Sequence, residues 1–276
     1  MNNEPSIEHP ESVDGAANNN PYPPAGFSAP SPPIQVIGRC EDIFRLFTPT
    51  RLTIRLSDLE QELGMQRSTA HRYLTSLGAT GFLERVEEGY APGPLMTSIG
   101  TLALDSQRIL DIADPYMRRL TSEIHETCVL SLWGGRGPVI VRVMEDMDKV
   151  VHVLVRIGAT LDPNSAQGRV FLAFLHDDDL TERVLASLPK PTSDDVLKSL
   201  PDVYRNRLSI SATLVRGVRT VAAPILDRRE RIMAAIAVVG TMQSIPEGAD
   251  SGLALAVSHT AKLLSEQLGW SNSNNL

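Results

Sequence analysis

Hydroxyl, guanidinium and imidazole side chains are concentrated in one short segment of this sequence. Within ten residues the segment carries Arg67, Ser68, Thr69, His71, Arg72, Thr75 and Ser76, and it contains no acidic residue. Side chains of these types donate hydrogen bonds to phosphate oxygens and to base edges in the major groove of DNA. The composition therefore indicates a nucleic-acid contact, provided that the side chains share one exposed surface. The alternative is a solvated helix face, because helix-turn-helix patterns also recur in helical domains that bind no DNA.

The apolar residues of the same segment have the spacing of one helix face. Over residues 66–79, a turn of roughly 100° per residue brings together Ala70, Leu74 and Leu77, with Tyr73 at their edge. The polar side chains then lie on the opposite side, with Arg72 near its middle. We therefore predict a helix that buries its leucines and exposes its polar face.

A shorter helix is predicted just before this one, over residues 57–63. Ser57 and Glu60 have the spacing of a capping box, in which two side chains accept hydrogen bonds from the first backbone N–H groups of a helix. Leu59 and Leu63 would lie on its buried face, and Gly64 would allow the sharp exit of the chain. Two short helices joined by a tight turn are typical of a helix-turn-helix.

A small β-hairpin is predicted directly after the second helix. Residues 81–86 form a strand candidate, residues 87–89 a turn and residues 90–91 the returning strand. Residues 52–55 could pair with it as a third strand, and residues 36–47 have helical apolar spacing that ends before Pro49. The order of these elements predicts a winged helix-turn-helix. The acidic turn of the hairpin suits phosphate poorly, so we expect the second helix to dominate binding.

Length and composition set further limits. The chain has 276 residues and 42% hydrophobic content, which allows two domains. Its net charge of −7 disfavours a protein that coats nucleic acid non-specifically. A locally basic, site-directed DNA reader remains compatible with this charge. No leader peptide and no membrane span are expected, so we predict a cytoplasmic protein. The two cysteines, Cys40 and Cys128, are interpreted as buried thiols.

The N-terminal tail and the segment that connects the two halves of the chain have distinct sequence patterns. Residues 1–33 hold eight prolines and five asparagines, which predicts a disordered tail. Apolar residues at helical spacing predict a connecting helix that also serves as a dimer contact: Leu95, Ile99, Leu102 and Leu104. Asp114 followed by Pro115 has the pattern of a helix start, with the first as N-cap.

The second half of the chain alternates between strand and helix patterns. Strands are predicted at residues 127–133, 138–145, 150–156, 219–226 and 232–239, and helices at residues 165–175, within 178–207 and at the C-terminus. This order predicts an α+β domain with one antiparallel sheet flanked by helices. We divide the chain into a tail (1–34), a winged domain (35–92), a linker helix (93–110) and an effector domain (111–272).

Several motifs together resemble the IclR family of bacterial transcriptional regulators, from about residue 36 to residue 270. The most specific is Arg67-Ser68-Thr69-Ala70-His71-Arg72, which is similar to the K/R-S-T-x-x-R run of that family. Others are Arg156-Ile157-Gly158, the start of the helix at residues 164–171, and residues 217–224. The resemblance implies a winged-helix DNA reader joined by a linker helix to a GAF-like effector domain, acting as a homodimer or a dimer of dimers.

The resemblance also implies where an effector binds, and here the sequence departs from the family. The segment Asn164, Ala166, Gln167 and Gly168 stands at the family's A-x-G-K helix start, with Asn for the usual His and Arg169 for the Lys. Thr220 replaces a common cysteine, and Ala237 and Val239 replace polar residues. We therefore expect an effector that is larger or more apolar than a small oxo-acid, such as an aromatic or lactone-like metabolite.

Three more residues are candidates for effector contact on their own chemistry. His152 and Arg156 would share one strand face and could meet a carboxylate, although a surface ion pair is the alternative. Trp133 is either core or pocket wall. The expected function is thus an effector-controlled, DNA-binding transcriptional regulator, with a sensor that acts through a protein partner as the alternative.

Enzymatic and metal-dependent functions are not favoured by the sequence. It contains no GxSxG, Walker or Rossmann glycine motif and no evident nucleophile–base pair. The run His125-Glu126 lacks the second histidine of a zinc-binding HExxH motif. We therefore expect no catalytic residue, no metal and no cofactor.

Overall fold

The structure, a computed structural model, describes residues 34–146, 148–149, 153–212 and 217–271. The predictions for the tail and for His152 concern residues outside this set. Over residues 35–92, which we call the N-terminal unit, the elements are α1 (Gln35–Phe44), α2 (Leu56–Leu63), α3 (Arg67–Ala79), β1 (Leu83–Val86) and β2 (Gly89–Pro92). α4 (Pro94–Asp105) then leads away from this unit.

The elements of residues 108–267, which we call the C-terminal unit, follow α4. They are α5 (Arg108–Ile124), β3 (Thr127–Trp133), β4 (Pro138–Met144), α6 (Ala166–Phe174), α7 (Asp178–Ala186), α8 (Lys190–Asn206), β5 (Ser209–Ala212), β6 (Val218–Leu226), β7 (Ile232–Thr241) and α9 (Gly252–Gln267). The predicted α+β class is confirmed. Among the described residues, no helix combines the length and the apolar character needed to cross a membrane.

The N-terminal unit is built around one small core. Ile43, Ile54, Leu59 and Leu74 are fully buried there. The predicted hairpin is confirmed, since β1 and β2 pair antiparallel with Val86 opposite Gly89. The predicted third strand is reduced to a single bridge, in which Ile54 and Tyr90 exchange two backbone hydrogen bonds of 2.9 and 2.8 Å.

The start of α2 differs from the sequence prediction. The helix begins at Leu56, with Arg55 at its N-cap, and the Asp58 carboxylate accepts a 2.7 Å hydrogen bond from the Arg55 backbone N–H. The prediction that Ser57 and Glu60 form the cap is therefore wrong. Because the helix begins earlier than predicted, Asp58 takes the capping role that the sequence prediction gave to Glu60. Gly64 does end the helix in a left-handed conformation, with φ of 61°, as its position predicts.

One antiparallel sheet organises the C-terminal unit, with strand order β4-β3-β7-β6-β5. α5 and α9 cover one face, where residues such as Met117, Leu130 and Val257 are fully buried. α6 covers the other face, where Val129, Phe171 and Ala237 are fully buried. β5 was not predicted, and it extends the sheet by pairing with β6.

The predicted helix start at Asp114-Pro115 is wrong. α5 runs without interruption from Arg108 to Ile124, and Pro115 lies inside it. Pro115 lacks the N–H that would bond to the carbonyl of residue 111, but both positions are exposed, so water can solvate that carbonyl. The buried stripe of the helix passes across the proline and outweighs its local cost: Ile109, Ala113, Met117 and Leu120.

The predicted strand at residues 150–156 is also wrong in its described part. Residues 153–156 form no strand, and residues 158–161 pair with β4 instead. Gly158 N–H donates to the Ile140 carbonyl at 2.8 Å, and Leu161 N–H donates to the Pro138 carbonyl at 2.7 Å. Val153 and Val155 still pack against the α6 side of the sheet. The alternating pattern therefore predicted correctly that Val153 and Val155 turn inward, although these residues form no hydrogen-bonded strand.

Candidate nucleic-acid interface and effector pocket

α3 presents two chemically different faces, as its spacing predicts. Ala70, Leu74 and Leu77 are buried, with exposed fractions of 0%, 0% and 6%. The polar residues of the opposite face are all exposed: Arg67, Ser68, Thr69, His71, Arg72, Thr75 and Ser76. One helix thus anchors itself through its leucines and brings seven hydrogen-bonding side chains to a single outer surface.

The cationic groups of α3 differ in how far they are engaged. Arg67 lies 3.4 Å from the Glu60 carboxylate of α2, and its side chain is 79% exposed. Within the described part of the chain, Arg72 forms no ion pair. An exposed pair such as Arg67–Glu60 is weak, so a phosphate can replace Glu60 at small cost. Arg72 is free to contact DNA without any exchange.

The first turn of α3 adds backbone donors to this surface. No described side chain caps the helix, whose N-cap residue is Gln66. The N–H groups of the first turn therefore stay available, next to the positive end of the helix dipole. Phosphate oxygens are acceptors that fit such an end.

The hairpin next to α3 carries acidic side chains, but one of them is neutralised. Arg55 donates from Nε to the Glu88 carbonyl and from Nη2 to the Glu88 carboxylate, both at 3.0 Å. Glu84 and Glu87 remain exposed. The hairpin is therefore less favourable to phosphate than α3, as the sequence predicts.

The start of α6 lies at the centre of the second candidate site. Ser165 caps the helix, accepting a 3.1 Å hydrogen bond from the Gly168 N–H. A Cβ at position 168 would stand 2.3 Å from the Pro163 carbonyl oxygen, so only glycine fits there. Ala166, Gln167 and Gly168 are all buried. They are brought together as predicted, but as tightly packed groups.

Three predicted positions on the strands face the same side of the sheet as α6. Thr220 and Val239 are opposite one another in the β6–β7 register, and Ala237 is opposite Ala222 and Val129. All three predicted residues are buried, at 2%, 8% and 0% exposure. Their side chains give this region an apolar character with a single hydroxyl.

Two polar groups near α6 differ in how they are satisfied. The Gln167 Nε2 donates to the Ser131 hydroxyl at 2.9 Å in the interior. Trp133, two residues further along β3, packs its ring 5.6 Å from the ring of Phe171. Its Nε1 is shielded from solvent and finds no acceptor within the described chain. A buried donor without a partner costs about 1–3 kcal/mol, so the indole N–H can bind a ligand acceptor at a gain.

The remaining predicted effector residues are placed differently. The Asn164 Oδ1 accepts from Arg169 Nη2 at 2.6 Å, and the same Nη2 lies 2.5 Å from the Asp195 carboxylate. A hydrogen bond from Arg169 lowers the pKa of Asp195 from its ordinary value. Asn164 is therefore already engaged. Arg156 is exposed on a loop, and His152, its predicted partner on one strand face, lies outside the described residues.

No group of three or more possible metal-ligating side chains occurs among the residues that the structure describes. His125 instead pairs with Asp146, with 2.6 Å between Nδ1 and Oδ2. Glu126 forms an ion pair with Lys149. Cys128 is fully buried, as predicted, whereas Cys40 is only half-buried. Burial raises the pKa of both thiols.

An ion pair that the sequence did not predict joins the two units. Arg136, in the turn between β3 and β4, lies 2.8 Å from the Glu41 carboxylate of α1. Glu41 also accepts from Arg45 at 2.7 Å. The hydrogen bond from Arg45, and then the charge and hydrogen bond of Arg136, lower the pKa of Glu41. No sequence pattern signals a contact between residues this far apart in the chain.

Comparison with known proteins assigns both halves of the chain. A model of the C-terminal domain of bacterial IclR transcriptional regulators matches residues 101–266, which is more than half of the chain. A model of the IclR helix-turn-helix domain matches residues 37–87. A glycerol operon regulatory protein of Streptomyces griseus is 29% identical over 248 residues, covering 86% of this chain and 97% of that protein.

Solved structures share the fold. A putative IclR transcriptional regulator of a Silicibacter species superposes with a TM-score of 0.73 at 24% identity, covering 87% of this chain and 98% of that one. An IclR homologue from Microbacterium hydrocarbonoxydans, solved with 4-hydroxybenzoate, superposes with a TM-score of 0.64 at 21% identity, covering 85% and 99%.

Proposed function

Because the chain belongs to the IclR family of bacterial transcriptional regulators, we propose how its own residues carry out DNA binding and its control. The protein is a DNA-binding transcriptional regulator with an N-terminal helix-turn-helix domain and a C-terminal ligand-binding domain, and it is not an enzyme. We assign residues 35–92 to the first, residues 93–107 with α4 to the linker helix and residues 108–272 to the second, because α5 begins at Arg108. We place its action in the cytoplasm.

α3 enters the major groove of operator DNA in this proposal. The observation that carries it is the division of α3 into a buried apolar face and a fully exposed polar face. Arg72 contacts a base edge or phosphate, while Arg67 and the first-turn N–H groups hold the backbone. Ser68, Thr69, His71, Thr75 and Ser76 supply the remaining donors and acceptors.

The effector binds beside α6, against the Trp133 indole. The orphaned Nε1 requires one acceptor oxygen or nitrogen on the ligand, and the neighbouring Phe171 ring favours an apolar body. A molecule with an aromatic ring and one polar acceptor satisfies both conditions. The 4-hydroxybenzoate bound by a structural neighbour has an aromatic ring and acceptor oxygens in its hydroxyl and carboxylate groups, which makes it a suitable first probe.

A short path connects that ligand site to the N-terminal unit. Trp133 is the last residue of β3, and Arg136 follows in the same turn to pair with Glu41 of α1. A ligand that moves the indole also moves this turn, and so favours one placement of α1. The effect on DNA affinity equals the difference in ligand affinity between the two placements.

The protein acts as a homodimer or dimer of dimers through α4. This helix buries none of its residues, and Ile99, Leu102 and Leu104 are 51%, 68% and 43% exposed. A second copy would cover this apolar surface and set the spacing of two α3 helices. A dimer that presents two α3 helices to DNA would also predict an operator with two-fold symmetry.

A gel-shift assay with the full chain and the DNA upstream of its own gene tests the proposal. We expect a salt-sensitive complex that Arg72→Ala weakens, while Arg119→Ala, at an exposed position of α5, leaves it unchanged. Equal weakening by both variants, or no complex at low salt, would contradict the assignment. The alternative, a sensor that acts through a protein partner, rests on the exposed Glu84 and Glu87 of the hairpin.

A further inference from the structure

A cavity of about 850 Å³ lies between the N-terminal and C-terminal units. α1, the turn after it and Phe82 form one side, and residues 158–160 form the other. We propose that this interdomain cavity is a second small-molecule site, separate from the effector site proposed beside α6. Its ligand is an uncharged molecule built around an aromatic or alicyclic ring.

The lining of the interdomain cavity is chiefly apolar. Phe44 and Phe82 stand with ring centroids 5.8 Å apart, and Ile37, Phe47 and Leu77 complete the same side. Its volume falls within the roughly 300–1,000 Å³ that is typical of sites for drug-sized ligands. Such sites occur preferentially at domain interfaces, where two rigid surfaces meet without filling the space between them.

The charged groups at the cavity are already paired with one another. Arg45 donates to the Glu41 carboxylate from Nε at 3.0 Å and from Nη2 at 2.7 Å, and Arg136 adds a third contact at 2.8 Å. An ionised ligand would bury its charge against the chiefly apolar lining, which is costly, even though the exposed ion-pair cluster itself is weak. An uncharged ligand covers the phenylalanine rings without disturbing it.

Each side of the cavity is fixed by contacts within its own unit. Residues 158–161 are hydrogen-bonded to β4, and α1 is anchored by the fully buried Ile43. Neither side can move into the space alone without losing these contacts, so the space closes only if the two units shift as whole bodies. The apolar surface is therefore covered by a ligand more readily than by collapse of the fold.

Occupancy of this site would bias the arrangement of the two units. Because each unit contributes one side, a bound molecule makes its full set of contacts only in the arrangement described here. It therefore shifts the equilibrium by the difference in its affinity between arrangements. This consequence for DNA affinity rests on the proposed function, whereas the site itself does not.

Cys40 provides a local reporter for the experiment. It lines the cavity and is half-buried, while Cys128, the other of the chain's two cysteines, is fully buried. The full chain, without DNA, is titrated with the uncharged dye Nile red, and the labelling rate of Cys40 by monobromobimane is then measured. At about ten times the dye's Kd, we expect labelling to slow about tenfold, because only the free protein reacts. The anionic dye anilinonaphthalene sulfonate should give no such protection.

Filled variants decide whether the protection arises in the cavity. Thr160→Trp, from an exposed position on the C-terminal side, should abolish both the protection and the matching part of the dye fluorescence. Ile37→Trp fills the opposite side and serves if the first variant loses its circular dichroism spectrum. Ser122→Trp, at an exposed position of α5, is the matched control and should behave as the parent. Bound Nile red without protection of Cys40, equal protection in the filled variants, or no dye binding would overturn the proposal.

Discussion

α3 and the start of α6 both concentrate polar residues, yet the two regions handle them in opposite ways. On α3, the side chains are exposed, and Arg72 has no ion-pair partner within the described chain. Around α6, Gln167 bonds to Ser131 and Asn164 bonds to Arg169, whereas the buried Trp133 indole N–H finds no acceptor among the described residues. The first region is built to meet a large polar partner. The second is built to stay folded and to offer one donor to a small ligand.

This difference predicts that polar substitutions in the two regions affect different quantities. Those on α3 should lower DNA affinity and leave the free energy of unfolding nearly unchanged. Those around α6 should lower the free energy of unfolding, with Trp133 as the exception. The variants below test the contrast, beginning with the largest expected effect.

Leu74→Ala should destabilise the N-terminal unit by about 2–5 kcal/mol, because it leaves a cavity under a fully buried side chain. Urea unfolding followed by circular dichroism measures the loss. DNA binding should fail in proportion to the unfolded fraction. A change below about 0.5 kcal/mol, the size typical of surface substitutions, would show that α3 is not anchored through this face.

Gln167→Leu should lower the free energy of unfolding of the C-terminal unit by about 1–3 kcal/mol, because it leaves the buried Ser131 hydroxyl without its partner. Thermal unfolding of the variant and the parent provides the comparison. The double variant Gln167→Leu with Ser131→Ala should recover part of the loss. No recovery would mean that packing, not the hydrogen bond, sets the cost.

Arg72→Ala should weaken operator binding by about 1–3 kcal/mol and reduce the slope of log affinity against log salt by about 1 if it contacts phosphate. Fluorescence anisotropy at several salt concentrations measures both quantities. Its free energy of unfolding should stay within about 0.5 kcal/mol of the parent, since the side chain is exposed. A loss of stability that matches the loss of affinity would remove the contrast between the two regions.

Trp133→Phe should leave the free energy of unfolding unchanged or raise it by about 1 kcal/mol, because it removes a buried donor that has no acceptor. The same change should abolish the thermal stabilisation given by 4-hydroxybenzoate or by another aromatic probe. Two- and three-carbon oxo-acids should stabilise neither form. Stabilisation by those small acids alone would contradict the assignment of an apolar effector.

Glu41→Gln should weaken the contact between the units by about 0.2–1 kcal/mol, the range for solvent-exposed pairs. Because the pKa of Glu41 is lowered in the folded protein, its contribution is present above the ordinary carboxyl pKa and is lost as pH falls through the lower folded value. Unfolding of the parent and variant should therefore differ at neutral pH and converge in acid. A difference that persists in acid would show that the ionised Glu41 carboxylate is not its cause.

The sequence predicted those features that one segment determines alone. The two faces of α3 follow from its helical period, and the end of α2 at Gly64 follows from the conformational freedom of glycine. The helix start at Asp114-Pro115 was predicted wrongly, because a local cap pattern competed with a buried stripe that only tertiary contacts reveal. β5 was missed for the same reason, since its evidence is its pairing with β6.

The candidate effector site was less predictable than α3. Its positions on α6, β6 and β7 were identified through a family resemblance, and the structure brings them to one side of the sheet. The orphaned Nε1 of Trp133 and the contact between Arg136 and Glu41 depend on side-chain distances between segments far apart in the chain. No periodicity or spacing within one segment reports such distances.

The central claim is that the exposed face of α3 reads a DNA sequence. The most direct test is to sequence the genomic fragments that the purified full chain retains, in parallel with Arg72→Ala. The account predicts one enriched motif with two-fold symmetry for the parent, and relaxed selection at defined base positions for the variant. Retention without an enriched motif, or an identical motif and yield for the variant, would contradict it.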